Sequence, residues 1–318
     1  MSIYKDLLPT EFDDINTYRL DSRPSKVTLA DFAVPPSESD SIGEFLQKLP
    51  DILAVTSIRE LAARIRTAKE RGKPIIWGIG GHVIKTGLAP ILIDLMKRGF
   101  ATAIAANGSV LVHDSEIALV GFTSEDVDAT LGAGDFGAAR ETGDLLNSAA
   151  KRGRENEIGL GEAICQEVSG SKPAYSEYSI LCKAYEMRIP VTAHLTIGAD
   201  IGHFHASAKG ADLGETSHRD FKLFCSLVRK MNDGGVYINY GSAVTLPEIF
   251  LKAITVNRNL GFDISNITTA NFDFIQHYRP NTNVVRRPTA NGAGKGFAIT
   301  GHHELTLPLL AAQILAKP

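Results

Sequence analysis

The stretch from Lys73 to Leu119, KPIIWGIGGHVIKTGLAPILIDLMKRGFATAIAANGSVLVHDSEIAL, restricts the fold more than any other part of this chain. Pro74 to Ile79 is an apolar run without helical spacing that stops at Gly80-Gly81, the pattern of a strand buried on both faces. Leu88, Ile91, Leu92, Leu95 and Met96 then recur at three- and four-residue spacing, which predicts a helix from about Thr86 to Arg98, closed by Gly99. Phe100 to Ala106 is a second apolar run, bounded by Asn107-Gly108. Strand, helix and strand make one crossover unit, so the two strands are expected to be parallel neighbours. Ligands of such sheets sit outside the carboxyl ends of the strands. The segments Gly80 to Thr86 and Asn107 to Asp114 should therefore open onto one site.

The rest of the chain extends this pattern. Residues 1–40 hold Pro9, Pro24, Pro35 and Pro36 with little periodicity and read as an extended arm, lying on the body of the protein or on a neighbouring subunit. Residues 41–318 read as a single α/β domain. Two helices are expected between Ser41 and Arg71, then helices from about Gly137 to Lys151, Ile158 to Val168, Tyr175 to Met187 and Thr216 to Met231. Further strands are expected at Val191–Ile197, Val236–Asn239, Ile267–Ala270 and Asn283–Arg286, with a last helix over Leu305–Leu315. Alternation of this kind predicts a doubly wound, mainly parallel, Rossmann-like sheet.

Composition narrows the classes of function. A formal net charge of -3 gives no electrostatic footprint for nucleic acid. Three cysteines, Cys165, Cys182 and Cys225, show neither CxxC nor zinc-ribbon spacing, which fits a reduced compartment. The opening MSIYKDLLPTEFDD carries acids where a signal peptide carries basic and then apolar residues, and no apolar segment has bilayer-spanning length. A cytoplasmic protein acting on a small molecule, with no membrane partner, is expected.

Five groups of residues are candidates for chemistry. Gly80, Gly81, His82 and Thr86 form a tight strand-to-helix turn able to offer amides to a phosphate, although GxGGxxxxxG is not the dinucleotide fingerprint. Asn107, Gly108 and Ser109, with His113, Asp114 and Glu116, suit a ribose or phosphate, or else a capped helix start with Ser109 or Asp114 as the cap. Asp200, His203, His205, Asp212 and Glu215 gather in a glycine-rich loop after a strand end. This loop either holds acid-base and substrate-binding groups or, with His302-His303-Glu304, a metal. The loop NGAGKG (291–296) resembles a phosphate cradle without the GxxxxGK[ST] pattern. Glu248 and Lys252, four apart on one helix, make either an ion pair or an acid and amine facing the crevice.

In order and spacing, GGHVIKTGLAPILIDLMKRG with its AANG turn, GADIGHFHASAKGADLG and GVYINYGSAVTLPEIFLKAI resemble deoxyhypusine synthase. The likeness covers roughly residues 73–260. It implies a Rossmann-like sheet that binds NAD at subunit interfaces of a homo-oligomer, with a polyamine as co-substrate. By position it implies that Gly81, His82, Thr86, Asn107, Gly108 and Ser109 approach NAD, that His205 helps bind the polyamine, and that Glu248 is the acid of the Pro-x-Glu helix. In that family the lysine that receives the butylamine group lies six residues after this glutamate and follows Trp-Gly. Here Ile254 stands in its place, Lys252 comes two residues early, and the single Trp is Trp77. The expectation is therefore an NAD-dependent oxidoreductase or transferase acting on a small amine or amino acid rather than on a protein lysine. His203 or His205 would be the base, and Asp200, Asp212 or Glu248 would hold the cationic substrate. The competing readings are a metal-dependent hydrolase built on Asp200, His203 and His205, and a nucleotide-binding protein without catalysis.

Overall fold

The run after Pro74 forms strand β1 (Ile75–Ile79), every residue of which is buried. Five more strands join it: β2 (Ala103–Asn107), β3 (Val191–His194), β4 (Val236–Tyr240), β5 (Thr268–Asp273) and β6 (Lys295–Thr300). They line up in the order β3-β2-β1-β4-β5-β6, and each neighbouring pair is parallel. The computed structural model describes residues 3–316.

Helices α1 (Ile42–Lys48) and α2 (Leu53–Glu70) precede the sheet, and α3 (His82–Lys85) and α4 (Ala89–Lys97) join β1 to β2. Between β2 and β3 lie α5 (Gly108–Val120), α6 (Val127–Thr130), α7 (Arg140–Glu155), α8 (Leu160–Gly170) and α9 (Ile180–Met187). Then α10 (Gly210–Arg229) leads to β4 and α11 (Thr245–Asn259) to β5. The short α12 (Tyr278–Pro280) and a π-helical segment (Asn281–Arg286) precede β6, and α13 (His303–Leu315) ends the fold.

Side chains alternate across the sheet into two cores. Ile75, Trp77, Ile79, Ile238 and Tyr240 pack with Leu61 and Ile65 of α2, Leu92 of α4 and Leu310 of α13. Ile76, Ala105 and Tyr237 point the other way, onto Phe224 and Val228 of α10 and Phe250 and Ile254 of α11. Because both faces are covered, β1 and β2 read as nearly unbroken apolar runs, while the buried Asn239 of β4 and Asn271 of β5 satisfy each other, Asn239 Nδ2 donating to Asn271 Oδ1 at 2.7 Å. Burying one large aliphatic side chain contributes about 1.5–3 kcal/mol, so the two cores carry most of the stability. The one Trp is at the centre, its Nε1 donating to Phe100 O at 3.0 Å.

Two expectations are corrected. The helix predicted from Thr86 to Arg98 is two helices, because Gly87 adopts φ 74° between them. The strand predicted at Asn283–Arg286 is the π-helical segment. It lies over β6, where a Cβ on Gly296 would meet Val285 O at 2.1 Å. Thus the glycine loop 291–296 runs directly into an edge strand. Residues 3–40 bury no side chain and form isolated turns and two short 3-10 helices, Leu20–Ser22 and Leu29–Asp31. Cys165, Cys182 and Cys225 are buried free thiols. No helix among the described residues is long and apolar enough to cross a membrane.

Candidate functional site

Loops distant in sequence meet at the carboxyl edge of β1, β2 and β3. After β1, Gly80 packs backbone to backbone on the turn after β4, where an added Cβ would stand 2.0 Å from Gly241 O. Gly81 N–H donates to Ser109 Oγ at 3.2 Å, and Ser109 Oγ–H donates to Asn107 Oδ1 at 2.8 Å. Asn107 Oδ1 also accepts from Val110 N–H, so Asn107 caps α5, in place of the Ser109 or Asp114 cap considered above. Gly108 abuts the loop after β3, where a Cβ would fall 2.2 Å from the Asp200 carboxyl carbon. The turns at 80, 107 and 198–200 therefore share one rim.

Beside this rim lies a cleft of about 160 Å³ with Lys85, Ser109, His113, Glu116, Glu125 and Asp200 among its lining residues. Val112, Val127, Phe136 and Ile201 supply apolar wall. Burial pushes the Asp200 carboxyl above its ordinary range, only partly opposed by the Thr196 N–H at 3.1 Å and by the nearby His203 ring. Glu116 behaves oppositely. Burial raises it, but the nearby His113 ring and hydrogen bonds from Thr123 and Thr142 outweigh that effect and hold it below the usual carboxylate value.

The other expected residues divide into rim and scaffold. His82 is exposed at the rim, edge-on to the His303 ring at 5.3 Å, while Thr86 Oγ1 donates to His82 O at 2.8 Å and closes the α3 turn. Asp114 is corrected: it is fully buried and accepts from Ser179 Oγ, Ile180 N–H and Leu181 N–H, pinning α5 to the start of α9. His203 Nδ1 accepts from Gly198 N–H at 3.2 Å, which spends its lone pair and leaves the proton on Nε2. His205 Nε2 donates to Gly137 O at 3.0 Å, and its Nδ1 edge packs on Gly143 of α7. Neither histidine presents a free basic nitrogen to the cleft. Asp212 is likewise taken, by Arg154 at 3.0 Å.

Glu248 accepts from Asn283 Nδ2 at 2.8 Å and pairs with Lys252, which is exposed. Both belong to the surface where α11 meets the π-helical segment, and neither lines the cleft. Ile254 is 1% exposed and part of the second core, so no side chain at that position reaches solvent. Lys295 of the 291–296 loop pairs with Glu60. Among the described residues no group of three or more His, Cys, Asp or Glu is arranged to hold a metal. Lys252→Ala is expected to change the unfolding free energy by less than about 0.5 kcal/mol in urea titrations, as an exposed i,i+4 pair does. A loss above about 2 kcal/mol would show that α11 needs the pair.

Lys85 and Glu125 join the site, and His113 and Glu116, expected beside Asn107, line the cleft. His113 and Glu116 were visible in sequence as an i,i+3 pair on one helix face. Their partners Thr123 and Thr142 carried no signal, because they approach from separate segments.

No family model matches the chain. Ornithine cyclodeaminase of Methanothermobacter thermautotrophicus is 36% identical over 78 residues, 24% of this chain and 19% of that protein. The structure of AgrE in ternary complex with ornithine and NAD+ superposes with a TM-score of 0.52 at 17% identity, over 81% of this chain and 32% of that one. A deoxyhypusine-synthase-like protein from Entamoeba histolytica gives a TM-score of 0.53 at 11% identity, over 88% of this chain and 96% of that one. The chain thus spans about a third of AgrE. These likenesses, with the strand order, establish a Rossmann-like doubly wound α/β fold.

Proposed function

We propose that this chain is an enzyme that binds NAD(H) at the carboxyl rim of its sheet and acts on a small amine or amino acid. The observation that carries the reading is the meeting of Gly81, Ser109, Gly108 and Asp200 at that rim, beside the cleft. The strand order is the one dinucleotide-binding sheets use, with the ligand outside the strand ends. Gly80, Gly81 and Gly108 let the rim loops close on one another, while at Gly198 an added Cβ would meet nothing within 4 Å, which leaves space beside the Asn107-capped start of α5 for such a cofactor. The partial match to an ornithine cyclodeaminase and the ornithine and NAD+ bound to AgrE support the same class.

When bound, NAD+ supplies a hydride acceptor for a carbon next to nitrogen. The chain's own residues do the rest. Asp200 holds the cationic amine and Lys85 the carboxylate of an amino acid, while Phe136 and Ile201 exclude water. One lysine faces three carboxylates around the cleft, which favours a substrate with an extra amine. Transfer of an aminobutyl group to a protein lysine is not supported, since Ile254 replaces the carrier lysine inside the core.

Calorimetric titration of the full chain with NAD+ and NADH tests the reading, followed by absorbance assays with L-ornithine and L-arginine. Saturable binding is expected; no heat and no fluorescence change with either nucleotide would end the proposal. Asp200→Asn is expected to raise the KM for the amine by about 10–100-fold, the value of a charged hydrogen bond, with NAD+ affinity little changed.

A further inference from the structure

His82 stands exposed at the rim outside the cleft lining, and among His113, His203 and His205 counting hydrogens separates one from the others. His203 and His205 each commit a nitrogen to loop backbone, as described above. His113 is held differently. The chain turns back after α5 at Gly121, φ 80°, and places Thr123 between His113 and Glu116. Thr123 Oγ1 lies 2.7 Å from His113 Nδ1 and also contacts Glu116 Oε2, while Thr142 Oγ1–H donates to Glu116 Oε1 at 3.0 Å.

A hydroxyl has a single proton, and an ionised carboxylate accepts only. Thr123 therefore donates to Glu116, and its oxygen accepts from His113. The proton on His113 is fixed at Nδ1, and Nε2 keeps its lone pair. Cδ2, the carbon bonded to Nε2, lies 3.0 Å from the position of a Cβ on Gly81. That edge of the ring thus faces the end of β1 and the cleft, and Nε2 has no hydrogen-bond partner among the described residues.

We infer that His113 is the proton acceptor of this site, with Thr123 and Glu116 as positioning residues that set its tautomer. The inference rests on the amine substrate argued under Proposed function. In the step, an N–H bond of the substrate ammonium breaks and an Nε2–H bond forms. The electron pair stays on the substrate nitrogen, and no oxidant is consumed. The imidazolium so formed keeps its Nδ1–H on Thr123, and the negative charge of Glu116 lies behind it, which favours the charged ring.

Long-range proton–nitrogen NMR of full-length protein with labelled histidine, at about pH 8, tests the assignment. Loss of one ring signal in His113→Gln identifies the residue. The expected spectrum has His113 protonated at Nδ1 and bare at Nε2. Thr123→Val should shift the population to the Nε2–H form and Thr123→Ser should restore it. In assays with NAD+ and L-ornithine, His113→Gln is expected to lower kcat about 100-fold or more, the usual contribution of a general base, with NAD+ affinity within about twofold of wild type. A protonated Nε2 in the wild type, a tautomer indifferent to Thr123→Val, or an unchanged kcat in His113→Gln overturns the role given to His113. Absence of NAD+ binding by the wild type overturns the cofactor reading instead, and leaves the tautomer result standing.

Discussion

Gly80→Ala is expected to destabilise the fold by about 3 kcal/mol or more, lowering the melting temperature by roughly 6 °C or more. The new Cβ would sit 2.0 Å from Gly241 O and 2.7 Å from Gly241 C. Both are backbone atoms at the end of β4, so no rotamer change relieves the contact. Relief needs β1 and β4 to separate, which breaks ladder bonds at the middle of the sheet, such as Gly80 N–H to Tyr240 O at 2.9 Å. Gly170→Ala is the control. It ends α8 with nothing within 4 Å of an added Cβ, and removing a helical glycine there should be neutral or stabilise by up to about 1 kcal/mol. Equal melting temperatures for Gly80→Ala and wild type would mean that the two strand ends are not in contact.

Asp220 should contribute a fall in stability as pH rises from about 5 to about 8, set against the rise up to about pH 6.5 that comes from His194, which burial pushes down to about 3. Asp220 Oδ2 accepts from Gly161 N–H at 2.7 Å and Ala193 N–H at 2.8 Å, locking α8 and β3 to α10. Burial pushes its carboxyl to about 7, against those hydrogen bonds, and burial pushes Asp114 to about 6. In the unfolded chain both titrate near 4. Between these values the two carboxyls hold more protons in the folded state than in the unfolded one, so their share of the unfolding free energy decreases with pH. Their contribution is complete below about pH 4 and is lost as pH passes through 6 and 7. At about 1.4 kcal/mol per pH unit, Asp220 accounts for roughly 2–4 kcal/mol. Urea unfolding across this range should give a clearly less negative slope for Asp220→Asn, whatever its absolute stability. Parallel slopes would show that Asp220 is ionised at neutral pH in the folded protein.

The centre of the fold was legible because parallel strands buried on both faces leave little choice of residue. β1 and β2 appear as nearly unbroken apolar runs ended by Gly or Asn. β6 was not legible. It is an edge strand with alternating burial, begins with Lys295-Gly296, and needs that glycine only because Val285 crosses above it. Val284-Val285 suggested a strand by β-branching, and tertiary packing made a π-helical segment of it instead. The rim residues Gly81, Asn107, Gly108, Ser109 and Asp200 follow from the rule that binding loops leave the carboxyl ends of strands. His203, His205, Asp212 and Glu248 could not be sorted that way. What each does depends on Gly198, Gly137, Arg154 and Asn283, partners that sequence proximity does not identify.

Placing β1 beside β4 also has a consequence for biosynthesis. The ribosome releases Ile79 long before Val236, and at about 5–20 residues per second the delay is on the order of ten seconds. Throughout that interval the nascent N-terminal half has an apolar, unpaired margin where β4 will later dock. Chaperone capture of ribosome-bound chains should therefore peak after β1 emerges and decline once residue 240 clears the exit tunnel.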